Sequence, residues 1–246
     1  MSDAPQGSRL RHADARAVGA ALVFPTLFAA VYFVGLAGSH PALQRTVYAA
    51  CKIVQFSFPL VWVLGVRRRK LTWDRPGTAG IAEGLLFGAV VLATMIAVYH
   101  LALKPAGLLA PAAEPVREKM ASFGIDGLGK YVALGAFLSV VHSFLEEYYW
   151  RWFCFGQLQR LLPWKPAVAI SSVGFMGHHV IVLATYFGWL SPATWLFSVA
   201  VAIGGAYWAW AYRRSNSLAG PWLGHLLVDV AIFVVGYDLV GTLGVP

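Results

Sequence analysis

Runs of about twenty largely apolar residues recur along this whole chain, and no other feature narrows its possible folds so far. Wound as a helix, such a run spans the roughly 30 Å hydrocarbon core of a bilayer. The runs occupy residues 17–38, 46–65, 79–103, 131–153, 166–187, 193–212 and 219–242. Lipid offers the backbone no hydrogen-bond partners, so each crossing must satisfy its own N–H and C=O groups, as a helix does. The expected fold is therefore all-α, a polytopic membrane helical bundle of about seven transmembrane helices with short loops. Composition agrees: hydrophobic residues make up 59% of the 246 and charged residues only 12%, against about 25% charged in a soluble domain. The first run is too long for the apolar core of a signal peptide and lacks a clear small-x-small cleavage site, so it reads as the first span.

A net charge of +8 does not make this a nucleic-acid-binding chain, because its basic residues form no stripe. They sit at segment ends, as topology signals facing anionic lipid do. Arg9, Arg11 and Arg16 precede the first span. Arg67, Arg68, Arg69, Lys70 and Arg75 follow the second, Arg151, Arg160 and Lys165 the fourth, and Arg213 and Arg214 the sixth. A cytoplasmic N-terminus in a bacterial inner membrane puts all of these on one side and leaves the uncharged 188–192 loop on the other. The exception is the 104–130 connection, with Lys104, Arg117, Lys119 and Lys130. Its Pro105, Pro111 and Pro115, and the mixture of Glu114, Glu118, Val116, Met120 and Phe123, fit either a short interfacial helix or a solvated loop. Cys51 and Cys154 lie in apolar runs and read as buried thiols, not a disulfide. Trp150, Trp152, Trp164, Trp189, Trp195, Trp208, Trp210 and Trp222 fall near predicted span ends, where tryptophan anchors helices in the interface. Gly204, Gly205 and Ala206 permit a close helix approach, although ordinary packing explains them equally simply.

Of eleven acidic residues, Glu83, Glu146, Glu147, Asp229 and Asp238 fall in or beside spans. A charge at mid-membrane costs about 2.5–3.5 kcal/mol even on lenient scales. Glu83 and Asp238 stand near span ends and can reach the headgroups. Glu146 and Glu147 differ. Arg151 follows Glu147 by four residues, the spacing for an ion pair along a helix. Glu146 is left facing elsewhere, with a like charge beside it and little water. In such a setting a carboxyl can take a proton from water and return it to a leaving group. A salt-bridged helix end at the headgroups would explain the doublet alone. The next span, however, carries His178 and His179, and the last carries His225 and Asp229 four residues apart on one face. Acid or imidazole groups in three spans point to one shared interior site. His100 and His142 are weaker candidates; His142 lies one turn before Glu146, where it would only buffer it.

The set Glu146-Glu147-x-x-x-Arg151, Phe175-x-x-x-His179 and His225-x-x-x-Asp229 resembles the motifs of the CAAX protease and bacteriocin-processing family, which includes the type II CAAX prenyl endopeptidases. The resemblance covers residues 131–235 and implies an intramembrane endopeptidase acting on a membrane-associated protein or peptide near a terminus or hydrophobic tail. It divides the chain into N-terminal spans and connecting loop, 1–130, and a four-helix catalytic membrane core in 131–246. It also implies roles. Glu146 and His179 activate a water, His225 with Asp229 stabilises the oxyanion, Arg151 holds Glu147, and Phe175 packs beside the site. One departure is visible, since the prenyl endopeptidases end the third motif in Asn where this chain has Asp229. An ionised Asp repels an oxyanion; a protonated one donates to it.

No cofactor is expected. The alternative is zinc held by Glu146, His179 and His225, although the chain has no HExxH and no cysteine near the set. Two other classes compete: a proton-coupled transporter, which would bring internal repeats that are not found, and a membrane scaffold without proteolysis.

Overall fold

The structure is a computed structural model describing residues 4–69 and 78–241; Lys70, Arg75 and Thr242 lie outside the described residues. Among the described residues, seven helices are long and apolar enough to cross a membrane. They are α1 (Arg11–Gly35), α2 (Pro41–Val66), α3 (Gly80–Leu103), α5 (Leu128–Leu161), α6 (Trp164–Phe187), α7 (Pro192–Ser215) and α8 (Ala219–Val240). Between α3 and α5, the 104–130 connection forms a further short helix, α4 (Ala110–Ser122), that buries Ala112 and Met120. Of the two readings of that segment, the helix holds. No strand occurs among the described residues.

α5 departs most from expectation. At 34 residues it exceeds the roughly 20 that a crossing needs, and most of the surplus follows residue 153. It widens into π-helix over Phe137–His142 and again over Tyr148–Phe155, leaving one α-helical turn, Ser143–Glu147, between them. Such widened turns loosen the regular backbone ladder and recur at functional sites. Their carbonyls find other donors. Ser139 accepts from Ser143 Oγ at 2.5 Å, Val140 from Trp222 Nε1 of α8 at 2.9 Å, and Trp150 from Ser171 Oγ of α6 at 3.4 Å. The second widened stretch buries Tyr149, Trp150, Phe153, Cys154 and Phe155 in the bundle core. Tyr149 ties that core to α1 by donating to the Ala21 carbonyl at 2.6 Å.

α8 lies along α3 with almost no side chain between the backbones. Gly84 and Gly88 of α3 face Gly220 and Gly224 of α8, and a Cβ at Gly88 would stand 2.9 Å from Gly224 Cα. Facing small residues one turn apart permit this approach. The bundle ends are clamped by ions: Arg67 to Asp14 at 3.2 Å and Arg214 to Glu83 at 2.9 Å at one end, Lys104 to Asp238 at 2.7 Å at the other. Glu83 and Asp238 thus sit at helix ends, as their positions suggested. Arg117 of α4 donates to the Val240 carbonyl at 2.9 Å, tying α4 to the end of α8. Cys51 and Cys154 are unpaired. The tryptophan reading needs correction at two positions. Trp164, Trp189 and Trp195 are exposed as interfacial anchors should be, but Trp150 and Trp208 are buried in the core.

Candidate active site

The single α turn of α5 turns both glutamates inward, and they are 4% and 0% exposed. Because α5 runs on to Leu161, Glu146 lies mid-helix and not near a cytoplasmic end. This brings it level with histidines deep in α6 and α8. Glu146 is ringed by imidazoles from three helices. His142 Nε2 is 3.4 Å and His178 Nε2 3.5 Å from its Oε1, and His225 Nε2 is 3.8 Å from its Oε2.

Glu147 looks the other way and is shared. Its Oε1 lies 3.2 Å from Arg151 Nη1 and accepts from His225 Nδ1 at 2.7 Å. Arg151 is not at the headgroups, as a salt-bridged helix end would require, but is 1% exposed. Its guanidinium lies over the rings of Phe175 at 4.5 Å and Trp208 at 5.1 Å. Gly205 of α7 makes the room: a Cβ there would approach Phe175 to 3.2 Å and Arg151 Nη2 to 3.4 Å. Trp208, three residues on, stacks on His225 with ring centroids 4.3 Å apart. His225 is therefore fixed from two directions, by Glu147 at Nδ1 and by an indole on its face. Its Nε2 points toward Glu146 and, at 3.7 Å, Asp229. With Nδ1–H held by Glu147, donation through Nε2 requires the ring to carry both protons, Glu147 serving as counterion.

The two histidines of α6 are placed differently from one another. It is His178 that reaches Glu146 directly. His179 donates from Nδ1 to the Phe175 carbonyl at 2.9 Å. A carbonyl only accepts, so Nδ1 holds the proton and Nε2 keeps its lone pair. His179 stays close, its ring centroid 4.1 Å from that of His178. Sequence reasoning also passed over Lys52, in the middle of α2. Its Nζ stands over the rings of Phe28, Tyr48 and Phe56 at 5.7, 5.8 and 5.3 Å, and Phe56 meets His142 edge-on at 6.0 Å. The signal was available, a lysine inside an apolar run, which is as costly as an acid there. His100 is exposed and plays no part in this cluster.

A zinc site with an open position needs three converging ligands. Among the described residues, no three His, Cys, Asp or Glu side chains are arranged to hold a metal ion. In both imidazoles of the set Glu146, His179 and His225, Nδ1 is held, by the Phe175 carbonyl at His179 and by Glu147 at His225, and Nε2 is the nitrogen left to face a ligand.

Fold and cluster together define a class: integral membrane proteins whose acid and imidazole groups meet inside the bundle, away from lipid. Residues 128–231 match the family model of type II CAAX prenyl endopeptidase Rce1-like proteins. This segment, α5 to most of α8, is similar to that CAAX protease family and carries every acid and imidazole of the cluster. The match supports a CAAX intramembrane endopeptidase in general, a class that acts on protein or peptide substrates. No curated protein and no solved structure matches it.

Proposed function

We propose that this protein hydrolyses a peptide bond near the terminus or hydrophobic tail of a membrane-associated substrate, with Glu146 and the α6 histidines activating the water. The observation that carries the reading is the setting of Glu146, a 4% exposed carboxylate with imidazole nitrogens at 3.4, 3.5 and 3.8 Å inside a membrane span. Water attacks the carbonyl carbon and gives one proton to Glu146, or to the free Nε2 of His179. The same proton then goes to the departing amine nitrogen as the C–N bond breaks. His178 positions Glu146. A doubly protonated His225 donates through Nε2 to the oxyanion, and Asp229 acts beside it as a hydrogen-bond partner. Glu147 and Arg151 hold His225 without touching substrate, and Phe175 backs Arg151 and the α6 histidines. Acid and imidazole groups carry the step without a metal. The enzyme sits in a bacterial inner membrane, its basic end in the cytoplasm.

The test compares protein termini in membrane and secreted fractions of cells carrying the wild type or Glu146→Gln. New C-termini and released tails should vanish in the variant, a loss of about 10²-fold or more if the carboxylate is the base. A folded Glu146→Gln protein that leaves the same termini would remove Glu146 from the chemistry. His179→Ala and His178→Ala then separate the two imidazoles, with a loss of rate expected for both.

A further inference from the structure

Lys52 is a cation at mid-membrane, and among the described residues no carboxylate forms an ion pair with it. Among the described residues its one hydrogen bond goes to Gln55 Oε1, at 3.4 Å. The three rings around it lie within the roughly 6 Å over which a cation–π attraction acts, but a ring supplies no counter-charge. Glu146, whose charge reaches Lys52, is already enclosed by His142, His178 and His225. An ammonium has three donors, and Gln55 takes one. Intramembrane cations pair with other groups or mark substrate and ion pathways, and an anionic group of a substrate would suit the remaining donors of Lys52.

We propose that Lys52 is a substrate-binding residue whose ammonium takes the free C-terminal carboxylate of the peptide, so that the bond offered to Glu146 lies a few residues from the substrate's C-terminus. This rests on the proteolytic reading of Glu146. The contact path is short: Lys52 to the Phe56 ring at 5.3 Å, Phe56 to His142 at 6.0 Å, His142 to Glu146 at 3.4 Å. An extended peptide covers about 3.3–3.6 Å per residue, so only a few residues fit between a carboxylate on Lys52 and a carbonyl at Glu146. Phe28, Tyr48 and Phe56 then flank the terminal residues with apolar surface, which suits a hydrophobic tail. An internal loop of a substrate, having no terminus, gains nothing from Lys52, and a measuring device of this kind would select tails over loops.

The experiment measures binding in the Glu146→Gln background, so the outcome does not depend on which group activates the water. The probes are a dye-labelled pool of farnesyl-cysteine tetrapeptides with free C-terminal acids and the same pool as C-terminal amides, titrated against detergent-solubilised protein by fluorescence polarisation. The acid pool should bind about tenfold or more tightly than the amide pool, as expected for a hydrogen bond to a charged group. Adding Lys52→Met should bring the acid down to the amide and leave the amide unchanged; adding Lys52→Arg should keep part of the preference and guards against a folding defect in the Met variant. Absence of an acid preference in the Glu146→Gln protein, or its survival in Lys52→Met, overturns the proposal. Either result stands apart from the mechanism of Glu146, which fails only if Glu146→Gln still cleaves.

Discussion

Burying a guanidinium at 1% exposure, as at Arg151, demands a counter-charge, and Glu147 at 3.2 Å supplies it. Removing one partner of such a pair strands the other in a medium that cannot solvate it, at a cost of about 3–5 kcal/mol, whereas removing both leaves no orphan charge. Arg151→Met should therefore destabilise the protein by about that amount in thermal melts in detergent. Glu147→Gln should do the same and also loosen His225, whose Nδ1 it holds at 2.7 Å. The Glu147→Gln/Arg151→Met double variant should be more stable than the sum of the single losses predicts. Strict additivity would mean that the two side chains do not act as a pair. This pair was readable from the sequence because four-residue spacing on a helix is a geometric rule. The choice between His178 and His179 was not. Adjacent helical residues point about 100° apart, and only the position of α5 tells which direction is inward. Trp208 was misassigned for a related reason: nearness to a span end says nothing about whether a ring turns to lipid or to His225.

At the scale of elements, the close pairing of α3 and α8 fixes where His225 sits, since it follows Gly224 directly. The number of helices was readable because each crossing needs its own apolar run. Their neighbours were not, because α3 and α8 are distant in the chain and the matching glycines, Gly84 and Gly88 against Gly220 and Gly224, acquire meaning only when the helices face each other. The length of α5 was hidden in the same way, since Tyr148–Phe155 carries aromatic and charged residues that read as an interface but bury as core. A methyl at Gly84 would run into the backbone of Gly220. Gly84→Ala should cost about 1–3 kcal/mol as overpacking and, by pushing α8 outward, should lower proteolysis more than stability alone explains. Gly19→Ala is the control. It has open space around a Cβ, and a glycine-to-alanine change in a helix gains about 0.5–1 kcal/mol. Equal melting shifts for the two variants would show that α3 and α8 do not meet through their glycines.

Across the whole molecule, the cluster on α5, α6 and α8 is walled by the N-terminal spans. Tyr149 leans on α1, Tyr148 donates to the Phe56 carbonyl of α2 at 3.3 Å, and Lys52 faces the site from α2. The two ends of the bundle differ in charge. Arg67, Arg68, Arg160, Lys165, Arg213 and Arg214 gather where α2, α5 and α7 end, with Arg213 and Lys165 both over Trp164 at 5.0 and 5.7 Å. At the opposite end the uncharged turn between α6 and α7 projects Trp189 and Leu190, 52% and 97% exposed. The bases there that gave the 104–130 connection its exceptional charge are engaged locally: Lys104 with Asp238, Arg117 with Glu114, Lys130 with Asp126, and Lys119 with the Tyr32 hydroxyl at 3.0 Å. Short basic loops are retained on the cytoplasmic side, and acidic neighbours hardly weigh in that choice. The direction therefore rests on the larger basic group at the Arg67 and Arg214 end. A fluorescent protein inserted at 215–218 should fluoresce, and alkaline phosphatase inserted at 188–192 should be active, in bacterial cells expressing the full chain. The reverse pattern would invert the bundle and move the basic end outside. Because Glu146 lies mid-span, the chemistry proposed for it would survive that inversion, and what would change is the compartment from which a substrate's tail would enter to bring its carboxylate to Lys52 as proposed.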